Sequence, residues 1–285
     1  MQLHRASNFS LQQLTDAYNQ TRVDYIVPMP MNVARLQEYI DTYDIDLEAS
    51  WVAMDGKIIF GLGMLGVRPG RSWITRVGVL PIGRRQGTGR AIVDKLMESA
   101  SRRQCQELWI EVIAGNVPAQ QLFLTGGFHP GRQLLVARRP PSHTSPLSEE
   151  SLVHGPRLEI TELEHSHLLT LLNERRERPN WLNETESFHS NQDIRGLSVG
   201  DREGGRGWVA YRADAYQLSH MVVEVLEGNP AQVTASVLQA LHRRHPTQDA
   251  VMENLPADSP YWSGFQTLGY FEVFRRLEMV KRIAP

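Results

Sequence analysis

Residues 84–90 read Arg-Arg-Gln-Gly-Thr-Gly-Arg, three guanidinium groups interleaved with two glycines. Such a run can hold an anion. Arg84, Arg85 and Arg90 supply charge-assisted donors, while Gly87 and Gly89 allow positive φ or a close backbone approach to an oxygen. Val77, Gly78 and Val79 precede the run in a strand-like pattern, and Ile92, Val93, Leu96, Met97 and Ala100 follow at helical spacing. Gln86 and Thr88 therefore sit in a strand-to-helix turn whose first-turn amides have no intrahelical acceptor, which makes a phosphate the expected ligand.

The rest of the composition narrows that ligand. The formal net charge is -2, yet residues 84–103 hold six basic side chains against Asp94 and Glu98. Charge confined to one place suits one anionic ligand, and no nucleic-acid partner is expected because that would need a broader basic face. Cys105 is the single cysteine, so an intrachain disulfide and a Cys-based metal cluster are excluded; no metal is expected. No apolar run approaches the ~20 residues of a membrane span, and MQLHRASNFS lacks a signal-peptide core, so a cytoplasmic protein with no membrane partner is expected.

With 285 residues, 41% of them hydrophobic, the chain suits two domains. The stretch RRPPSHTSPLSEESLVHGP (138–156) carries four prolines and no apolar periodicity, which gives a first domain at 1–139, a linker at 140–156 and a second domain at 157–285. In the first, helices are expected near 10–20 and 31–43, and three strands joined by hairpins at Asp55-Gly56 and Pro69-Gly70. A helix at 88–103, a strand at 106–112, a short helix near 117–125 and a last strand near 128–138 follow. The same order recurs after the linker, and LFLTGGF (122–128) aligns without a gap with GFQTLGY (264–270). A diverged internal duplication explains both.

Arg84-Arg85-Gln86-Gly87-Thr88-Gly89 resembles the pyrophosphate-binding signature Arg/Gln-x-x-Gly-x-Gly/Ala of the GNAT acyltransferase superfamily. The resemblance extends to Val77-Gly78-Val79, to Asn116, and to Leu122-Phe123 with Gly127-Phe128, which look like that family's Leu-Tyr…Gly-Phe ending. It implies an α/β fold of two GNAT-like domains, each a mixed, mostly antiparallel twisted sheet flanked by helices, packed against each other within the chain. It also implies acetyl-CoA as co-substrate. The amides of residues 85–90 would hold its pyrophosphate, residues 77–79 would pair with the pantetheine arm, and Asn116 and Phe123 would line the site. In the second half the matching positions read VLEGNPAQ, without arginine and with Glu227 where phosphate would sit. A carboxylate there repels the ligand. A dinucleotide fingerprint is a poorer match, because Ile92 holds its third small position and the hairpins imply an antiparallel meander.

The implied reaction is acetyl transfer to an amine of a small molecule or peptide by direct attack, and a protonated amine needs a base. In QELWIEV (106–112), Glu107, Trp109 and Glu111 share one face, and Glu111 is the best candidate. The family's usual acid, a tyrosine, aligns with Phe123, which cannot donate; Tyr25 is a substitute candidate. The missing phenol keeps open a non-catalytic acyl-CoA-binding or sensor protein. Elsewhere, His242 and His245 at a basic helix end and the arginines of RRER (175–178) are expected to be solvated, and Cys105 to be a passive thiol.

Overall fold

The computed structural model describes residues 1–141, 158–189, 193–201 and 203–283. The expected linker lies almost wholly outside them. The chain forms two compact units, Met1–Arg132 with Leu277–Pro285, and Gln133–Arg276.

In the first unit, β1 (Gln2–Arg5), β2 (Trp51–Asp55), β3 (Ile58–Arg68) and β4 (Arg71–Val79) are antiparallel neighbours. The hairpins turn where the sequence places them. β5 (Glu107–Ile113) then joins β4 in parallel, a pairing that requires the crossover supplied by α3 (Thr88–Arg102). Ile92, Val93, Leu96 and Ala100 of α3 are buried in one cluster with Leu65, Ile74, Leu108, Ile110 and Val112 from the sheet. Gly63 permits that contact, because a Cβ there would lie 2.7 Å from Ile92 Cγ2 and 2.8 Å from Leu96 Cδ1. Two further helices, α1 (Leu11–Gln20) and α2 (Val33–Thr42), start at N-caps from Ser10 and Asn32. α4 (Val117–Thr125) follows β5.

The strand beside β5 is not β6 (His129–Arg139), the next in sequence, but β12 (Phe271–Arg282), whose residues from Leu277 belong to this unit. Met279 is fully buried in the α3 cluster. Lys281 Nζ donates to the Gly126 carbonyl (2.6 Å), the Ile283 amide to the Gln106 carbonyl (2.9 Å), and Arg132 pairs with Glu278 (2.8 Å).

The second unit repeats the order. β7 (Glu159–Leu163), β8 (Ile194–Gly200), β9 (Arg206–Ala213) and β10 (Gln217–Glu227) are antiparallel, and β11 (Asp249–Pro256) joins β10 in parallel after α7 (Pro230–Arg244). Here β11 pairs with the end of β6, from Ala250↔Arg139 to Pro256↔Leu134. Each compact unit is therefore completed by the final strand of the other half of the sequence, a division that differs from 1–139 and 157–285. Both halves also carry the same irregularity. The register of β4 shifts around Arg76 (φ 54°) and that of β10 around His220 (φ 50°), which matches the duplication. The fold is a mixed, mostly antiparallel sheet, and among the described residues α5 (His165–Asn173), α6 (Glu186–His189) and α8 (Trp262–Thr267) are the remaining α-helices.

His242 departs from the sequence expectation. It is 6% exposed, with Nε2 3.0 Å from the Tyr270 hydroxyl and Nδ1 3.5 Å from Arg139 Nη1. In the last turn of α7 the His242 ring faces the core, while Arg243 and Arg244 are exposed. Burial first, and then the neighbouring Arg139, lower the imidazole pKa to about 3. Cys105 is buried and its thiol is pushed up by that burial, as a passive thiol should be.

Two measurements test these features. The folded pKa of His242 lies below its ordinary value of about 6.5, so the neutral form stabilises the fold above that pH and the contribution is lost as pH falls toward 3. His242→Gln should flatten the decline in chemical-denaturation stability between pH 6 and 4, by up to about 1.4 kcal/mol per pH unit; an unchanged slope would refute the buried neutral state. Met279→Ala should destabilise the chain by roughly 2–5 kcal/mol, and a fragment ending at residue 141 should melt non-cooperatively because it lacks β12.

Candidate active site

The pairing of β4 with β5 runs from Arg71↔Glu107 to Ile74↔Ile110 and ends there, although both strands continue. The cause is a bulge. On β3, Leu62 and Met64 face Gly78 and Thr75, so β4 uses one extra residue between them and bends away at Arg76. Val77, Gly78 and Val79 line one arm of the opened fork and Glu111 stands on the other. Leu108, Ile110 and Val112 are buried and Glu107, Trp109 and Glu111 half-buried, so the last three share one face of β5.

The segment after α1 closes over the β4 arm. A Cβ at residue 78 would lie 2.4 Å from Thr21 Oγ1, which explains the glycine. Arg22 Nη2 sits 3.4 Å from the Val77 carbonyl, and Tyr39 of α2 shares a 2.6 Å hydrogen bond with Thr75. Burial pushes the Tyr39 phenol up, opposed by Arg76 and reinforced by the charge of Glu111. Tyr25 lies on the same segment, its ring 5.1 Å from the Arg22 guanidinium carbon.

The basic turn is built for oxygen contacts by its backbone. Arg85 (φ 60°) and Gly87 (φ 81°) are left-handed, and Gly87 caps α3 in a conformation that only glycine adopts freely. The first intrahelical bond runs from the Ala91 amide to the Gly87 carbonyl (2.9 Å), so the amides of Thr88, Gly89 and Arg90 precede it. A Cβ at Gly87 meets nothing within 4 Å, and one at Gly89 meets nothing nearer than 3.6 Å. The surface above the turn is open, and the residues present fit a pyrophosphate.

The arginines divide their work. Arg84 is held by Asp24 (2.6 and 2.7 Å) and by the Val79 carbonyl (3.1 Å), a bond that draws the Asp24 pKa down and the Arg84 pKa up. Arg90 pairs with Asp94 (2.7 Å). Arg85 is exposed and has no ion pair among the described residues. Gln86 Nε2 donates to the Ile82 carbonyl (2.9 Å). Asn116 caps α4 by accepting from the Ala119 amide (3.2 Å), and Phe123 is 2% exposed with its ring edge-on to Phe128 at 5.3 Å. In this structure one is a cap and the other a core residue. Sequence reasoning missed Tyr18, Arg22, Asp24, Tyr39 and Arg76, because their meeting with β4 and the turn joins segments far apart in the chain.

In the second unit the corresponding turn is shut. Only Gly228 and Asn229 separate β10 from α7, and Asn229 Oδ1 accepts from the Ala231 and Gln232 amides (3.1 and 3.2 Å). Pro230 brings no amide at all. Glu227 is bonded to Arg206 (2.6 and 3.1 Å), and it is Asn229 that takes up the first helix amides. The second fork is also filled from within. After Leu218↔Ala250 the strands part, and the Glu253 and Asn254 carbonyls accept from Asn183 and Asn180 (3.2 Å each). Arg175 nearby is not solvated as expected: its Nη2 is buried without a partner, and burial lowers its pKa to about 10.

Residues 13–128 match the model of the Acetyltransferase (GNAT) family. That match spans the fork and the basic turn. Residues 13–128 belong to the GNAT family. A tandem GNAT protein from the clavulanic acid biosynthesis pathway shares 14% identity over 100% of this chain and 99% of its own, with a TM-score of 0.67. A GCN5-related N-acetyltransferase from Sphaerobacter thermophilus shares 14% over 96% and 93% (TM-score 0.70), and a putative acetyltransferase from Pyrococcus horikoshii 12% over 99% and 89% (TM-score 0.60). At these identities the structures establish a shared tandem GNAT fold. No protein of curated function matches the sequence. Family membership puts the GNAT domain among acyl-CoA-dependent acyltransferases. No helix among the described residues is long and apolar enough to cross a membrane, and no group of three or more metal-ligating side chains occurs among them.

The division of labour in the turn is testable by calorimetry and thermal melts. Arg85→Ala should weaken CoA binding by about tenfold, the ~1.5 kcal/mol of a charge-assisted bond, with the melting temperature unchanged. Gly89→Val should weaken it further while the fold survives. Undiminished affinity in both variants would remove the turn from the cofactor site.

Proposed function

We propose that the chain is an N-acetyltransferase that moves the acetyl group of acetyl-CoA to an amine of a small molecule or peptide, using one site in its first unit. The observation that carries this reading is the pairing of an open, left-handed basic turn with a parted β4–β5 fork in that unit, where the second unit has neither available. The turn holds the diphosphate and Arg85 adds its charge. The edge of residues 77–79, without a strand partner from β5, pairs with the pantetheine arm. The amine nitrogen attacks the thioester carbonyl, a C–N bond forms and the C–S bond breaks. Glu111 takes the proton released by the amine, directly or through water, and the thiolate takes a proton from solvent or from Tyr25.

The absence of a phenol at position 123 supports a second reading, a non-catalytic acyl-CoA sensor. Titration with CoA should give one site per chain, and acetyl-CoA should be turned over with members of an amine panel. Glu111→Gln should lower kcat by 10²-fold or more with CoA affinity retained, in the range of general-base catalysis at ~10²–10⁴-fold. Tight binding without turnover across the panel would select the sensor; two binding sites would overturn the single-site assignment.

A further inference from the structure

Arg22 is a charge in the first unit that no anion compensates among the described residues. Its side chain is half-buried, its Nε is buried without a hydrogen-bond partner, and its Nη1 and Nη2 reach only Thr21 Oγ1 (3.2 Å) and the Val77 carbonyl (3.4 Å). No carboxylate among the described residues forms an ion pair with it. The guanidinium instead lies over the rings of Tyr18 (4.2 Å) and Tyr25 (5.1 Å). A second guanidinium stands close: Arg76, on the bulge that opens the fork, donates to the Tyr18 hydroxyl (2.9 Å) and lies over Tyr18 (5.2 Å) and Tyr39 (4.2 Å). Burial lowers the Arg22 pKa, and the positive charge of Arg76 lowers it again.

Arg22, held by ring faces and without an ion pair, places a positive charge in a partly dry aromatic setting against the β4 arm of the fork. Desolvating a guanidinium without an anion is unfavourable, and an anion delivered with the ligand offsets that cost. The thioester end of acetyl-CoA is neutral and its phosphates are assigned to the turn at 84–90. The anion therefore has to come from the other substrate. A flat guanidinium already oriented by ring faces suits the bidentate geometry of a carboxylate.

We infer that the acceptor is a small amine that also carries a carboxylate, held by Arg22 with Arg76 behind it, so that the amine is presented toward Glu111. This rests on the acetyltransferase reading of the same fork. The carboxylate sets affinity and orientation and takes no part in bond making.

Matched pairs of amino acid and amino amide, glycine with glycinamide and β-alanine with β-alaninamide, isolate the charge at nearly constant shape. With the full chain and acetyl-CoA, kcat/KM for the acid should exceed that for the amide by tenfold or more. Arg22→Gln should collapse this ratio toward one, mainly through KM, and Arg22→Lys should keep part of it. Equal rates for acid and amide in the parent chain, or an equal loss for both in Arg22→Gln, would overturn the inference and leave Arg22 as a structural residue. Binding supplies an arm independent of turnover. N-acetylglycine should raise the melting temperature of the CoA-saturated chain, N-acetylglycinamide should not, and Arg22→Gln should abolish the difference. Carboxylate binding without turnover would uphold the anion site while removing the acetyltransferase reading; turnover indifferent to the carboxylate would do the reverse.

Discussion

Everything proposed for the first unit depends on the place where β4 stops being a partner of β5. Two parallel strands with buried faces ordinarily stay paired to their ends, and here pairing stops at Ile74 and Ile110 because one extra residue, Arg76, is forced into β4 opposite β3. The bulge turns a continuous sheet into a fork, with residues 77–79 no longer paired to β5 on one arm and Glu111 on the other. It also aims the Arg76 side chain among Tyr18 and Tyr39. A left-handed arginine is unfavourable by itself and persists because β3, α1 and α2 fix its surroundings.

The segment after α1 ties the two ends of the site together. Arg22 rests against the Val77 carbonyl while Asp24, two residues later, holds Arg84 at the start of the basic turn. One short stretch thus touches both the parted arm of β4 and the basic turn. Arg84, Arg85 and Arg90 look equivalent in the sequence, yet their environments differ: Arg84 is bonded to Asp24, Arg90 to Asp94 on α3, and Arg85 is exposed.

The second unit repeats the scaffold with a different turn. Its bulge at His220 is intact and its strands part in the same place, so the fork survives as architecture. What has gone is access to the backbone. Asn229 occupies the helix amides that an anion would need, and Asn180 and Asn183 bond the carbonyls of β11. Capping a helix and binding a phosphate use the same donors, and here the asparagine cap takes them while Glu227 is paired with Arg206.

The sequence by itself determined the local features. The turn at 84–90, the hairpins at Asp55-Gly56 and Pro69-Gly70, the alternation that presents Glu111 and the order of elements in each half are written in periodicities and glycines a few residues apart. Tertiary structure decided what depends on distant partners. His242 looked solvated from its basic neighbours and is buried because α7 turns that face to Tyr270 and Arg139. Arg22 and Asp24 carry no motif, and they acquire meaning only from β4 and the turn about 60 residues away. The exchange of β6 and β12 was equally illegible, since both strands follow the same Gly-aromatic ending and either can complete either sheet by local pattern alone. Only the packing of Met279 beneath α3, with the bonds of Glu278, Lys281 and Ile283, selects which strand closes which unit.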